Sequence, residues 1–220
     1  MNGRLIYLTI TRPELSYAVH VLSQFMQNPN VEHMDAARRV LRYIKGSPGQ
    51  GLLLKANSSL QVQAYCDSDW GACPLTWHSL TGYFVTLGGS PVSWKTRKQT
   101  VVSRSSAEAE YLSMAATTSE LVWLKSLLAS LGVFLSEPMK LYCDSQAAIH
   151  IAKNPVFHER TKHIEIEFPF VREKIHSGDL EVLYVSTKQQ PADIFTKAFG
   201  RDQFRYLRSK LGIVDLHAPI

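Results

Sequence analysis

Between Leu60 and Gly71 polar and apolar residues alternate with a period of two. Leu60, Val62, Ala64 and Cys66 share one parity, and Gln61, Gln63, Tyr65 and Asp67 share the other. This spacing predicts a strand with one face in a core and Asp67 at its C-terminal end. Asp69 shares the parity of Asp67, but Trp70-Gly71 signals that the chain is already turning there, so Asp69 ranks second. Residues 81–87, the pair Gly88-Gly89, and residues 91–95 read as strand, turn, strand, which makes three consecutive antiparallel strands. From Ser105 the period becomes helical. Ser105-Ser106-Ala107-Glu108 has the form of a capping box, with Ser105 as N-cap and Glu108 reaching back to it, and Gly132 ends a helix of about seven turns. Residues 139–144 then predict a strand ending in Asp144, followed by a helix over residues 145–152. Residues 180–185 predict another strand, with a helix carrying Asp193 after Gln189-Gln190-Pro191. The order β-β-β-α-β-α-β-α describes an α/β fold in which a mixed sheet has an antiparallel hairpin side and a parallel side covered by helices.

Upstream, residues 4–46 form a helical appendage. Pro13 suits a first helical position, and Leu15, Ala18, Val19, Leu22, Phe25 and Met26 recur at helical spacing until Asn28-Pro29. Val31, Met34, Ala37, Val40, Leu41 and Ile44 form the stripe of a second helix, capped by Gly46. Its other positions carry Arg38, Arg39, Arg42 and Lys45, a solvated basic face or a nucleic-acid contact. Residues 46–51, Gly-Ser-Pro-Gly-Gln-Gly, read as a linker, with a short strand at residues 52–54.

Composition adds little to this picture. The 220 residues are 45% hydrophobic and 20% charged, which is globular, and 24 Lys and Arg against 19 Asp and Glu give a net charge of +5 that suits a polyanionic partner. Cys66, Cys73 and Cys143 are odd in number and lack CxxC spacing, so neither a disulfide framework nor a zinc site is indicated and a reducing compartment is expected. No apolar run is long enough for a membrane span, and residues 1–5 do not resemble a signal peptide, so a soluble intracellular protein with no membrane partner is expected.

Among the acids, Glu110 falls in line with Met114, Leu121, Leu124 and Leu128, the stripe that must face the sheet. Burying a carboxylate costs several kcal/mol unless a cation or hydrogen bonds answer it, so Glu110 requires an Arg partner or a metal. Asp144 sits where it could simply cap the next helix, and Asp193 where a helix dipole would favour it. Asp67, Glu110, Asp144 and Asp193 nevertheless all arrive at one edge of one sheet, with no matching set of buried Lys or Arg expected in these elements. Clustered carboxylates of this kind call for hard cations bound through oxygen, and two Mg²⁺ ions would allow in-line hydrolysis of a phosphodiester.

Several ordered runs carry a family resemblance. They are Gly3-Arg4-Leu5-Ile6-Tyr7-Leu8 with residues 11–19, Tyr65-Cys66-Asp67-Ser68-Asp69-Trp70-Gly71, Val92-Ser93-Trp94-Lys95 with Lys98-Gln99, Ser105-Ser106-Ala107-Glu108-Ala109-Glu110-Tyr111, Cys143-Asp144-Ser145-Gln146, Arg160-Thr161-Lys162-His163-Ile164, and Pro191-Ala192-Asp193-Ile194-Phe195-Thr196-Lys197. Together they resemble the C-terminal part of a copia-type retrotransposon Pol polyprotein. The resemblance implies that residues 1–50 are a helical remnant of the reverse transcriptase thumb or connection. It implies that residues 51–220 are a ribonuclease H-like domain with a mixed five-stranded sheet. Asp67, Glu110, Asp144 and Asp193 would then be the catalytic, metal-holding acids, with two Mg²⁺ ions for which Mn²⁺ can substitute. The implied reaction is endonucleolytic cleavage of the RNA strand of an RNA:DNA hybrid, leaving 5′-phosphate and 3′-hydroxyl ends. The implied partners are that hybrid and the rest of the reverse transcriptase, in the cytoplasm within a virus-like particle, or in the nucleus.

Substrate contacts are expected from Trp94, Lys95, Lys98 and Gln99 before the long helix, from Ser145 and Gln146 beside Asp144, and from Lys162 and His163 in the later basic run; solvated loops are the alternative. Three stretches depart from the family pattern. Residues 186–190 hold no His to assist product release, leaving that role empty or to Lys188, and residues 74–78 and Glu165-Ile166-Glu167 also differ. No Tyr-x-Asp-Asp-like strand precedes residue 60, so DNA synthesis is not expected of these residues. The alternative to an active nuclease is an inactive, truncated remnant that binds nucleic acid.

Overall fold

The chain, seen in a computed structural model, is described over residues 2–56, 59–154 and 167–216. Helix α1 (Asn2–Leu8) leads to a 3-10 turn at Pro13–Leu15, which continues into α2 (Ser16–Ser23). Pro13 therefore opens a helical segment as expected, but α2 stops before Phe25 and Met26. Helix α3 (Val31–Lys45) begins with Asn30, whose side chain accepts the His33 N–H at 3.0 Å while its own N–H donates to His33 Nδ1 at 3.1 Å. Gly46 is its C-cap.

The apolar stripe predicted for α3 is only partly used. Ala37 and Val40 are buried with Leu5, Leu15, Val19 and Leu22, whereas Val31, Met34 and Leu41 are exposed. The cause is geometric, because α3 packs against α2 and nothing described covers its other side. The linker reading also needs correction. Strand β1 (Gln50–Leu52) starts inside the Gly-rich run and pairs antiparallel with β7 (Ile213–Asp215) from the far end of the chain, a partner invisible to local pattern.

The main sheet has the order β4-β3-β2-β5-β6. Strand β2 (Val62–Asp69) is central and pairs antiparallel with β3 (Leu80–Leu87) along its whole length, from Val62 opposite Leu87 to Asp69 opposite Leu80. Strand β4 (Ser90–Lys98) follows through Gly88 and Gly89, whose φ values of 57° and 76° suit the two-residue hairpin that matches sheet twist. On the other side β5 (Met139–Cys143) runs parallel to β2, and β6 (Leu180–Tyr184) parallel to β5. This is the mixed five-stranded sheet of the predicted ribonuclease H-like α/β fold.

Two layers cover the sheet. Helix α4 (Ser106–Ser130) lays Tyr111, Met114, Leu121 and Leu124 on Val62, Ala64, Cys66 and Val85, flanked by α5 (Gln146–Lys153) and α6 (Glu167–His176). On the opposite face Phe84 meets Ile194 and Phe195 from a 3-10 turn at Pro191–Phe195, Leu207 from α7 (Arg201–Lys210) and Leu211 from its C-cap. The predicted helix carrying Asp193 is thus this 3-10 turn. Sequence pattern missed α6, where Pro169 reads as a breaker although a first helical turn tolerates it, and α7, which buries only Leu207 fully.

The N-terminal helices are fastened to this body. Trp94 Nε1 donates to the Thr9 carbonyl at 2.8 Å, and α2 lies against β4. Arg12 Nε donates to Glu14 Oε1 at 2.6 Å, while its Nη atoms reach Ser47 O, Ser47 Oγ and Gln50 Oε1 at 3.0–3.2 Å. Both side chains are buried. Removing one member of such a pair leaves an uncompensated charge, costing about 3–5 kcal/mol, whereas replacing both with apolar groups costs much less. Arg12→Met should therefore lower the urea midpoint sharply, and Arg12→Met combined with Glu14→Leu should recover most of the loss.

Candidate active site

Each acid is positioned by a different element. The alternation along β2 puts Asp67 on the face of Tyr65, opposite Gly82 of β3, and the residue has no solvent exposure. Glu110 comes from the first turns of α4. The start of that helix is fixed by Ser105 Oγ, which accepts the Glu108 N–H at 3.2 Å. The side chain of Glu108 reaches one residue further back than the capping box predicts, accepting the Arg104 N–H at 2.6 Å. Asp144 follows β5 directly and is half-buried. Ser145, not Asp144, caps α5, its Oγ accepting the Ala148 N–H at 3.2 Å. That leaves the Asp144 carboxylate free of capping, and Oδ2 accepts the Thr187 hydroxyl at 2.7 Å. Asp193 is buried in the 3-10 turn, which Gln190 caps by accepting the Ala192 N–H while donating to the Cys66 carbonyl at 2.9 Å.

The four acids converge. Asp67, Asp144 and Asp193 each offer an oxygen within 4.8 Å of the others, and Glu110, Cys143 and Asp144 form a second such group, so Asp144 belongs to both. Asp69 belongs to neither group found among the described residues. Glu110 Oε1 accepts the Ser68 N–H at 3.2 Å, and its Oε2 lies 3.9 Å from the Cys143 thiol. Burial, and then the negative charges of Asp67, Cys143 and Asp144, push the Glu110 carboxyl up to about 10. Burial and Asp67 likewise push Asp193 up to about 7, against the pull of Lys197.

No matching set of buried Lys or Arg is expected beside the acids, yet one half-buried cation, Lys197, stands among them. Its Nζ is 3.0 Å from Asp67 Oδ1 and 3.0 Å from Asp193 Oδ1. Burial acts to lower its pKa, but the two carboxylates outweigh that and raise it. The Thr196 hydroxyl donates to Asp67 Oδ2. The Lys and the Thr lie in the same short run as Asp193, and the i,i+4 spacing of Asp193 and Lys197 was the available signal. Gly82 was also missed. A Cβ there would stand 2.7 Å from Thr196 Cγ2 and 2.8 Å from Phe195 Cβ, so glycine is what lets the 3-10 turn lie against β3 beside Asp67.

The expected substrate contacts divide. Gln99 is buried, its Nε2 donating to Ala109 O at 2.9 Å and Thr81 Oγ1 at 3.0 Å, and its Oε1 accepting from Ser103 at 3.1 Å, so it bolts β3 to α4. Trp94 and Lys95 pair with Phe84 and Tyr83, down the sheet from the acids, and line a cleft of about 410 Å³ against Ile6, Thr9 and Ile10. Lys98 pairs with Leu80, which itself faces Asp69, and so lies at the acid edge. Gln146 is exposed two residues after Asp144, and the hydroxyl of Ser145 is used in its cap. Lys162 and His163 lie outside the described residues.

The donor chemistry fits a hard divalent cation. Asp67, Asp144 and Asp193 make an oxygen-only set of the kind Mg²⁺ and Mn²⁺ prefer, and an ammonium already spans two of these carboxylates. The buried Cys143 thiol makes the second group less suited to such an ion. Among the described residues, no helix is long and apolar enough to cross a membrane.

Fold and site together define an α/β protein whose mixed five-stranded sheet carries an acid cluster compatible with metal binding. Over nearly its whole length the chain is similar to copia-type retrotransposon Pol polyproteins. It is 47% identical over 211 residues to the retrovirus-related Pol polyprotein from transposon RE1 of Arabidopsis thaliana, a match covering 96% of this chain and 14% of the relative. The corresponding protein from transposon TNT 1-94 of Nicotiana tabacum is 37% identical over 212 residues, covering 96% and 16%. The chain thus spans about one-seventh of the relatives' length. No family model matches it. The solved structure of LC11-RNase H1, isolated from compost by a metagenomic approach, is similar over 62% of this chain and 93% of its own at 14% identity and a TM-score of 0.47.

Two outcomes follow from this geometry. Gly82→Ala should push the 3-10 turn off the sheet and destabilise the protein by about 1–3 kcal/mol, read by urea unfolding, because overpacking a tight contact forces backbone to shift. The second concerns pH. Glu110 and Asp193 keep protons in the folded state that the unfolded chain releases near 4.5 and 3.8. Between those values and about 10 and about 7 the folded state binds more protons, so these groups make stability fall as pH rises. In EDTA the melting midpoint should decline from about pH 5 to about pH 8, and saturating Mg²⁺ should reduce that decline.

Proposed function

We propose that this chain is the ribonuclease H of a copia-type retrotransposon, a metal-dependent endonuclease that hydrolyses the RNA strand of RNA:DNA hybrids during reverse transcription. Residues 1–50 are the end of the reverse transcriptase thumb or connection, and residues 51–220 the nuclease. The observation that carries this reading is the convergence of Asp67, Glu110, Asp144 and Asp193 from four separate elements on one sheet edge, with Asp144 common to both ligand groups. Asp67, Asp144 and Asp193 would hold a divalent cation, Mg²⁺ or Mn²⁺, with Glu110 completing the cluster for a second. Once bound, cations of this class activate water and neutralise charge on the phosphodiester.

The chain's own residues do the rest. The Ser68 N–H orients Glu110, Thr196 orients Asp67, and Thr187 steadies Asp144 from the loop before the 3-10 turn. Lys98 and Gln146 border the acid edge, where a hybrid's phosphates and groove would arrive, while the net charge of +5 favours a polyanion. The exposed Val31, Met34 and Leu41 of α3, with Ile6, Tyr7 and Ile10, support an interface with the rest of the reverse transcriptase. The chain's place of action under this reading is a cytoplasmic virus-like particle, or the nucleus. One observation favours a second reading, an inactive remnant that binds nucleic acid: a lysine ammonium stands between two of the acids.

Cleavage of a labelled RNA:DNA hybrid separates the two. The 220-residue chain should cut the RNA strand with Mg²⁺ or Mn²⁺ and not in EDTA. Asp144→Asn should lower the rate at least about a hundredfold with its circular dichroism and melting curve retained. Equal residual cleavage by both proteins would mark a contaminant and leave the remnant.

A further inference from the structure

Lys197 has an unusual position for a cation beside a catalytic cluster. Asp67 has no solvent exposure and Asp193 is buried, so their charges cannot be answered by water. One ammonium answers both, at 3.0 Å from an Oδ1 of each, and the Lys197 N–H also donates to the Asp193 carbonyl at 3.0 Å. The side chain is 32% exposed, unlike the two acids, so it has a way out. It is also a lysine rather than an arginine. A compact, strongly hydrated charge on four methylenes can leave by rotation about its stem, whereas a guanidinium would lock both carboxylates through its planar fork. Those two carboxylates belong to the trio that would offer oxygens to a divalent ion, and an ammonium between them repels an incoming cation.

We propose that Lys197 is a resident counter-cation: it fills the space between Asp67 and Asp193 in the metal-free protein and withdraws toward solvent when a divalent cation enters. The inference rests on the reading of this cluster as a metal centre and adds its mode of loading. The lysine keeps two buried like charges together before metal arrives, when their repulsion would otherwise pull the 3-10 turn from β2. The same contact sets a threshold, since the ion must displace it. A lysine that holds the pocket about nine-tenths of the time weakens apparent metal affinity about tenfold.

The test measures binding of Mn²⁺ alone to the full chain, by calorimetry or by the free-ion electron paramagnetic resonance signal, without nucleic acid. Lys197→Met should bind Mn²⁺ about tenfold more tightly than the parent, melt at lower temperature in EDTA, and gain more from the metal. Lys197→Arg keeps the charge and should bind Mn²⁺ more weakly, which separates displacement from a simple change of field. Because a variant can fail to fold, the parent is also followed by ¹H–¹⁵N correlation of its lysine ammonium groups. The Lys197 signal, slowed in exchange by its two carboxylates, should disappear or move as Mg²⁺ saturates the protein. Equal Mn²⁺ affinity in all three proteins, or a Lys197 signal unchanged at saturating Mg²⁺, overturns the proposal and leaves the metal centre standing. Absence of Mn²⁺ binding by parent and Lys197→Met alike overturns both.

Discussion

The structure depends on keeping buried negative charges together at one edge of a sheet. Asp67 and Asp193 are buried and Glu110 nearly so, and like charges this close repel by several kcal/mol in a partly dry site. The protein meets that repulsion in three ways. A proton is retained on Glu110, whose carboxyl is pushed up by burial and by its neighbours. The Lys197 ammonium lies between Asp67 and Asp193. Directed hydrogen bonds from Ser68, Thr196 and Thr187 reach three of the carboxylates. None of these would be needed if the cluster served stability alone, because apolar residues of the same volume would pack there without desolvating charge. An arrangement that fold stability does not require indicates that it is kept for its chemistry.

The rest of the fold can be understood as the means of holding that edge. Strand β2 contributes to both layers: Val62, Ala64 and Cys66 face α4, while Tyr65 and Asp67 face the 3-10 turn. Glu110 therefore arrives from one side of the sheet and Asp193 from the other, and only the strand ends allow them to meet. Close approach is secured where Gly82 lacks a Cβ under Phe195 and Thr196, and where Gln190 bonds the Cys66 carbonyl from within the opposite layer. Gln99 performs the matching task for α4, tying its second turn to β3. These buried amides and the glycine are silent in any assay of chemistry, yet they fix the spacing of the groups that would perform it.

How much of this could be read from the chain follows from whether the cause is local. The alternation in β2, the hairpin glycines, the Ser105 cap and the Glu110 stripe are local patterns, and each appears where the periodicity places it. The pairing of β1 with β7 and the 3-10 form of residues 191–195 are tertiary effects. A Gly-rich run therefore reads as linker, and Asp193 as part of a regular helix. Helix α7 escaped because it buries one side fully at Leu207 alone, too little for a stripe. At the site, the acids were legible because a carboxylate on a core stripe or strand end is costly wherever it occurs. Lys197 is legible only in part, because its i,i+4 spacing signals the contact with Asp193 while nothing local shows that the ammonium also reaches Asp67, 130 positions away.

The aromatic and basic residues of β4 show the same distinction working in the opposite direction. Trp94-Lys95 has the composition of a nucleic-acid contact, yet the indole N–H is held by Thr9 and both residues line a cleft beneath the N-terminal helices. Those helices are more than a spacer. The phenol of Tyr17 is raised by burial and further by the charge of Asp69, and His20 is lowered by burial and by Lys98, so α2 reaches the same sheet edge as the acids. Lys98 of β4 is thus the basic residue of that strand in register with the Asp69 end of β2, and α2 packs on both β4 and the 3-10 turn that carries Asp193. The segment that precedes the sheet therefore helps hold the 3-10 turn, and with it Asp193, in place.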